Sequence, residues 1–373
     1  MATDMLDEEW DVLTRLLPVD WRELARETGA MRRARGAIGD PDTLLKLLLL
    51  HVATGLSLKQ AAARAQAQGL AQITDVGLLK RLRSSERWLG ELARRMYQGS
   101  RFVDGEPAVP AGRQVRVVDA TTIQEPGATG TTWRVHYTIT LPQMQCDFYE
   151  VTDERGGEHF KRIPVQSGDI VLGDRGYGYR KGVEHVLAHG GDVVVRLSSV
   201  GFPLLDPKTG QSIQPLTLLK QLNHQTPREW AVCFAGAGGR LFPARLCAIR
   251  KSRLAAERAR EAARQRSIRR QTTLRQKTLD YADYVVVLTT VPSSQLDTAA
   301  VLGLYRARWQ IELCFKRLKS LFQLGHVPKY SGESARGWIQ GKLLVTLMAE
   351  SLLAHAAIFS PWGYPLAPAQ SMA

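Results

Sequence analysis

The sequence predicts an α/β protein, with a layered core of mixed strands and helices entered through an all-helical N-terminal domain. Three observations carry this prediction. Residues 1–100 space their apolar side chains as helices do and show no strand pattern. From Gln114 onward the period shortens to that of β-strands. Two buried-type runs, DIVLG at Asp169–Gly173 and DVVVRL at Asp192–Leu197, flank a helical segment. With 373 residues, 44% of them hydrophobic and 23% charged, the chain has the balance of a globular protein and room for a core plus a large insertion.

In the helical region, Leu13, Leu16 and Leu17 precede Pro18, and Asp42 or Thr43 is the expected cap of the run Leu44–His51. Ser57 is expected to cap an alanine-rich helix, Leu58–Gln68. Gly69 breaks it, and Thr74 or Asp75 starts a third helix, Val76–Arg83, carrying Lys80, Arg81 and Arg83. Helix, glycine break and short basic helix is the layout of a helix-turn-helix, although the turn is longer than usual. An all-helical packing domain is the alternative. Residues 101–112, with two prolines and two glycines, read as a linker.

Gln114–Asp119, Thr131–Leu141 and Gln145–Thr152 then read as an antiparallel meander. A short segment, Glu158–Ser167, leads to the strand Asp169–Gly173, a helix Arg180–His189 and the strand Asp192–Leu197, giving a βββαβαβ order. We assign 113–199 to the first part of the core. Residues 200–282 form an insertion with strands at Trp230–Phe234 and Ala244–Ile249. Residues 283–330 complete the core with a strand, Asp283–Thr289, and one long helix from about Thr298 to Leu324. Residues 331–373 are a last helix and tail. Inside the insertion, Arg250–Lys277 holds eleven Lys and Arg against only Glu257 and Glu261. Its apolar positions are mainly alanine, so it buries little; it is either a solvated helical arm or a phosphate-backbone contact.

Charge and cysteine usage narrow the function. Fifty Lys and Arg against 36 Asp and Glu leave a formal charge of +14, which calls for a polyanionic partner, nucleic acid before membrane. The N-terminus is acidic (Asp4, Asp7, Glu8, Glu9) and lacks the apolar stretch of a signal peptide. Lys46 and His51 interrupt one apolar run, and Glu350 and His355 the other, so neither reads as a membrane span. Cys146, Cys233, Cys247 and Cys314 lie far apart with no zinc-ligand spacing. The expected setting is the cytoplasm, at the nucleoid.

Three acids stand out. Asp119 and Asp174 each follow a run of strand-forming residues, where a sheet opens its carboxyl edge, and Glu312 lies on the long helix. A lone strand-end Asp is usually a turn or cap; two with a helix acid in a basic chain are not so easily explained. Tyr305, Arg308, Glu312 and Lys319 fall at i, i+3, i+7 and i+14, one stripe of a helix. That stripe is either a solvated charged face or a site. Other groups offer less: His185 and His189 lack a third ligand, and Trp230 suits core packing better than base stacking.

The stripe resembles the Tyr-x2-Arg-x3-Glu-x6-Lys signature of DDE transposases from bacterial insertion sequences, in the family numbered four. VVDATTI resembles the first-Asp block of these enzymes and GDRGY the second. The resemblance implies a ribonuclease H-like core over roughly 113–325, with the 200–282 insertion as an aid to DNA binding. It also accounts for the spacing: Asp119 and Asp174 are 55 residues apart, but Glu312 follows 138 residues later.

The resemblance implies catalysis and metal ligation by Asp119, Asp174 and Glu312. Such an oxygen-only donor set suits Mg2+ or Mn2+, in a pair of ions. Tyr305, Arg308 and Lys319 are expected at DNA phosphates, as are Arg175 and the basic helix residues Lys80, Arg81 and Arg83. Pairing with Asp174 is an equal expectation for Arg175. The expected reaction is cleavage at insertion-sequence ends and joining of the 3′ ends to target DNA, on double-stranded terminal inverted repeats held by a homodimer. A nuclease of the same fold without strand transfer, or a catalytically silent DNA-binding protein, are the alternatives.

Overall fold

The computed structural model describes residues 10–31, 38–98, 109–199, 201–222, 226–325, 327–328 and 332–358. Most of the expected linker and the end of the tail lie outside these residues.

After a helical stretch at residues 10–14, the described N-terminal residues form α1 (Trp21–Glu27), α2 (Pro41–Val52), α3 (Leu58–Ala67), α4 (Asp75–Ser84) and α5 (Glu86–Gln98). The cap of α2 is Asp40, not Asp42 or Thr43. Pro41 is pre-set for the first helical position, and the Asp40 carboxylate accepts from Thr43 N at 2.7 Å. Asp42 is instead engaged by Arg22 and Trp10. Ser57 closes a capping box with Gln60, and Thr74 accepts from Gly77 N to start α4.

The strands β1 (Gln114–Ile123), β2 (Trp133–Leu141) and β3 (Cys146–Asp153) form the expected antiparallel meander. Between β3 and β4 (Asp169–Gly173) there is no full helix, only a three-residue 3-10 turn, Phe160–Arg162. Pro164 and the short span leave no room for more. Then come α6 (Arg180–Ala188) and β5 (Asp192–Arg196). The strand order β3-β2-β1-β4-β5, with β1, β4 and β5 parallel, is a ribonuclease H-like mixed sheet flanked by helices.

The insertion does not stand apart from this sheet. It carries β6 (Leu204–Leu205), β7 (Ser212–Ile213), α7 (Pro215–Leu219), β8 (Arg228–Ala235), β9 (Leu241–Arg250), α8 (Arg253–Arg269) and α9 (Gln276–Ala282). Strand β10 (Tyr284–Thr289) lies antiparallel between β5 and β9, so that one ten-stranded sheet runs through core and insertion. Three helices follow: α10 (Thr298–Ala307), α11 (Trp309–Ser320) and α12 (Gly332–Ile358). Among the described residues no helix is long and apolar enough to cross a membrane.

The central strands are apolar throughout because both faces are covered. Ile170, Leu172, Val194 and Val287 join a cluster with the N-terminal helices, α11 and α12. Their neighbours Val171, Val193, Val195 and Leu288 face the opposite cluster under α6. Within the helical layer, Trp88 is fully buried, stacks on Trp21 at 6.2 Å and donates to Trp21 O at 3.0 Å. Away from Asp119, buried Arg116 donates to Asp147, Asp169 and Pro164 O, tying β1 to β3 and to the start of β4. Loss of one partner in such a buried pair costs about 3–5 kcal/mol, which locks the strand register.

Candidate active site

Strand β1 does not end at Asp119. The β-branched Thr121, Thr122 and Ile123 continue it, paired with β2 as far as Trp133. What ends near Asp119 is the pairing with β4. The parallel register runs from Gln114 opposite Asp169 to Val117 opposite Leu172, and β4 closes at Gly173. Two more steps along that register bring Asp119 level with Asp174. Asp174 is fixed by its own turn, its Oδ1 accepting from Gly176 N at 2.7 Å.

The expected long helix is two. It breaks at Arg308, where hydrogen bonds shorten to i→i−3: Arg308 N donates to Tyr305 O at 3.1 Å and Ile311 N to Arg308 O at 3.2 Å. Such a tightened turn is a common feature of functional hinges. The break aims the Arg308 guanidinium into the sheet edge. Nη1 donates to Asp119 Oδ2 at 3.1 Å, and Nη2 donates to Glu312 Oε1. The Arg308 and Asp119 side chains are only 15% and 17% exposed, whereas that of Glu312 is 59% exposed. Tyr305 is buried and Lys319 half-buried, so the stripe is not a solvated face.

Burial pushes the Asp119 carboxyl up to about 6; Asp174 and Glu158 push the same way, while the Ala120 N–H and Arg308 oppose them. Burial also works against charge on Arg308, but Tyr305, Asp119 and Glu312 outweigh it and raise its pKa. Burial lowers that of Lys319.

Among the described residues, no three His, Cys, Asp or Glu side chains stand together as a ready ligand set. Glu312 meets Asp119 only through Arg308. The donors nonetheless suit a hard divalent ion. They are all oxygens, and a cation, the guanidinium, already lies between two of the three carboxylates.

Arg175 does not pair with Asp174. Its buried Nε has no hydrogen-bond partner among the described residues, and Arg196 and Lys251 add positive charge around it. Burial, with Arg196 and Arg175, brings the Lys251 ammonium down to about 8. The buried Tyr281 hydroxyl beside these cations has no partner either. Gly178 lets the Arg175 turn press on β5, since a β-carbon there would lie 2.7 Å from Arg196 O. Asp283 is the carboxylate that acts on Lys251, and the Lys251 ammonium donates to Ala282 O; the excess of positive charge around Arg175 suits an anion.

The other basic expectations sit on α4 and α8, and Arg266 of α8 adds its charge to the surroundings of Arg175. Lys80 is exposed and Arg81 half-buried on α4, while Arg83 Nε donates to Ser334 and braces α4 against α12. Helix α8 is solvated: Ala256 is its single buried residue. Arg258, Arg266, Arg269, Arg270 and Arg275 are exposed along and just beyond it. Trp230 is half-buried, with the Arg228 guanidinium 5.7 Å from its ring.

Residues 110–348, the stretch that holds both Asp blocks and the helix acid, match the family described as transposase DDE domain. The chain belongs to the DDE transposases. The putative transposase InsL of insertion sequence element IS186A from Escherichia coli K12 is 33% identical over 351 residues, covering 90% of this chain and 91% of the relative. The transposase of insertion sequence element IS421 from Escherichia coli is 33% identical over 352 residues, with the same coverage. This chain is thus an insertion-sequence transposase. A solved piggyBac transposase synaptic complex with hairpin DNA matches with a TM-score of 0.42 and 10% identity, over 97% of this chain and 80% of that one.

Sequence reading missed the surroundings of its acids. Glu158 approaches Asp119 and Asp174 from a loop, while Arg196, Lys251 and Tyr281 gather round Arg175 from two strand ends and α9, elements that no spacing rule connects. Gly176 and Gly178, close after Asp174, were the one local sign of crowding there.

Proposed function

We propose that Asp119, Asp174 and Glu312 catalyse metal-dependent phosphoryl transfer, cleaving DNA at insertion-sequence ends and joining the 3′ ends to target DNA. The observation that carries this reading is the register that sets Asp119 beside Asp174, with Glu312 joined to Asp119 through one guanidinium. Asp119, Asp174 and Glu312 would hold two Mg2+ or Mn2+ ions. When bound, such ions activate the attacking hydroxyl and stabilise the departing oxygen.

The rest of the chain positions DNA. Arg308, released from the acids, has the planar fork to hold two phosphate oxygens at once. Tyr305 and Lys319 flank it on α10 and α11. The pocket of Arg175, Arg196 and Lys251 suits a further phosphate. Helix α4, with Lys80 and Arg81, and helix α8 add charge for the terminal inverted repeats, which two copies of the chain bring together; Arg83 supports α4 in this role. The insertion 200–282 acts as a DNA-holding extension of the core sheet.

The test is cleavage of a double-stranded terminal-repeat substrate with Mg2+. Asp119→Asn, Asp174→Asn and Glu312→Gln should each lower the rate by at least about a thousandfold, on the order of 4 kcal/mol, while retaining end-DNA binding. Near wild-type cleavage by any one variant removes that residue from the catalytic set.

A further inference from the structure

Glu158 lies in the irregular segment between β3 and the 3-10 turn, and nothing in its sequence surroundings marks it. The fold brings it to the acids. A β-carbon built on Gly176 would lie 2.7 Å from Glu158 Oε2 and 3.1 Å from Asp174 Oδ1. The two carboxylate oxygens are therefore no farther apart than the sum of those distances. The backbone of Gly176 is not in the left-handed region, so glycine here supplies room for Glu158 rather than conformational freedom.

Among the described residues no ion pair joins Glu158 to a basic side chain, and only the through-space charge of Arg134 favours its carboxylate. Arg134, the charge that opposes it, gives its Nη1 hydrogen to Gly156 O at 2.6 Å. A second, independent feature points to a ligand. Tyr177 is 1% exposed, and its buried hydroxyl has no hydrogen-bond partner among the described residues. That hydroxyl sits in the field of Asp119, Glu158 and Asp174 together. An unused donor among three half-buried carboxylates is costly unless something completes the group.

We propose that Glu158 is a fourth carboxylate of this centre, that it draws in with Asp119 and Asp174 around a divalent cation from their present, more open arrangement, and that the Tyr177 hydroxyl donates to one of these carboxylates when the cation is held. This rests on the reading of Asp119 and Asp174 as metal ligands, and the experiment separates the two. Mn2+ binding to the full chain without DNA is measured by calorimetry at pH 8, with thermal melting and end-DNA binding as controls for folding.

Glu158→Gln should weaken Mn2+ binding by about tenfold or more and leave metal-free DNA binding intact. Gly176→Ala keeps every charge but crowds the Glu158 carboxylate and, less closely, that of Asp174, and it should weaken Mn2+ binding as well. Tyr177→Phe should weaken it by a smaller factor, and full affinity there removes the tyrosine from the proposal. Wild-type Mn2+ affinity in both Glu158→Gln and Gly176→Ala, with binding lost in Asp174→Asn, overturns the role of Glu158 alone. Wild-type affinity in Asp174→Asn overturns the underlying reading too.

Discussion

Arg308 occupies the place between Asp119 and Glu312, so removing it should tighten metal binding to the free protein while slowing cleavage. The size of the effect follows from the two ends of the bridge. At the Asp119 end both side chains are largely buried, at 15% and 17% exposed, and a charge-assisted bond there is worth about 1.5–3 kcal/mol. At the Glu312 end the carboxylate is 59% exposed, and solvent reduces the pair to about 0.5 kcal/mol or less. A divalent ion that takes Asp119 must break the first bond. Arg308→Ala should therefore bind Mn2+ about tenfold or more tightly. Arg308→Lys, whose single ammonium reaches one carboxylate at a time, should fall between the two. The assay is calorimetric Mn2+ titration without DNA at pH 8, well above the value near 6 of Asp119. Cleavage of intact ends, measured in parallel at saturating Mg2+, should fall by roughly tenfold or more because the phosphate grip is gone. Unchanged or weaker Mn2+ binding in Arg308→Ala would refute the competition and leave Arg308 as a brace for its neighbours.

Neutralising Arg258, Arg266, Arg269, Arg270 and Arg275 should weaken binding to any DNA sequence and flatten the log K against log salt slope by about 0.9 for each phosphate that is no longer neutralised; an unchanged slope returns α8 to a solvated arm. Burial holds Glu350 on α12 up at about 7, with Arg317 opposing. Its raised value means that the folded state favours the protonated form, so its stability contribution is full below the ordinary 4.5 and is lost as pH rises through 7. Glu350→Gln should therefore match wild type in urea unfolding near pH 4.5 and exceed it at pH 8 by up to about 3 kcal/mol; equal stabilities at both pH values would show that the carboxyl is solvated. At Gly337 a β-carbon would lie 2.7 Å from Leu82 O, a backbone atom of α4. Overpacking costs about 1–3 kcal/mol against a helix-propensity gain of about 1, so Gly337→Ala should lower the melting temperature; a rise would mean that α12 can shift away from α4.

Features that depend on near neighbours were legible in the chain before any fold was known. Short runs of Val, Ile and Leu specify β1, β4 and β5; in β4 and β5 they are continuous because both faces of the sheet are covered. Ser57 and Thr74 specify helix starts, because a short hydroxyl can reach an orphan N–H three residues on. The Tyr305–Lys319 spacing and the two Asp blocks were likewise readable, and with them the DDE family.

Where the acids meet their partners was settled by folding. Thr121 to Ile123 extend β1 past Asp119, so the site is placed by the end of β4 pairing and not by the end of a strand. The helix breaks at Arg308, and its guanidinium turns to carboxylates 189 and four residues away along the chain. Glu158 reaches Asp174 from a loop with no periodicity, and Arg196 at the end of β5 and Lys251 just past β9 surround Arg175. Electrostatic contacts of this kind fall off over a few ångströms of space and carry no period along the chain. Residues that share such a contact leave no mark on one another's sequence neighbourhood, and only the tertiary fold brings them together.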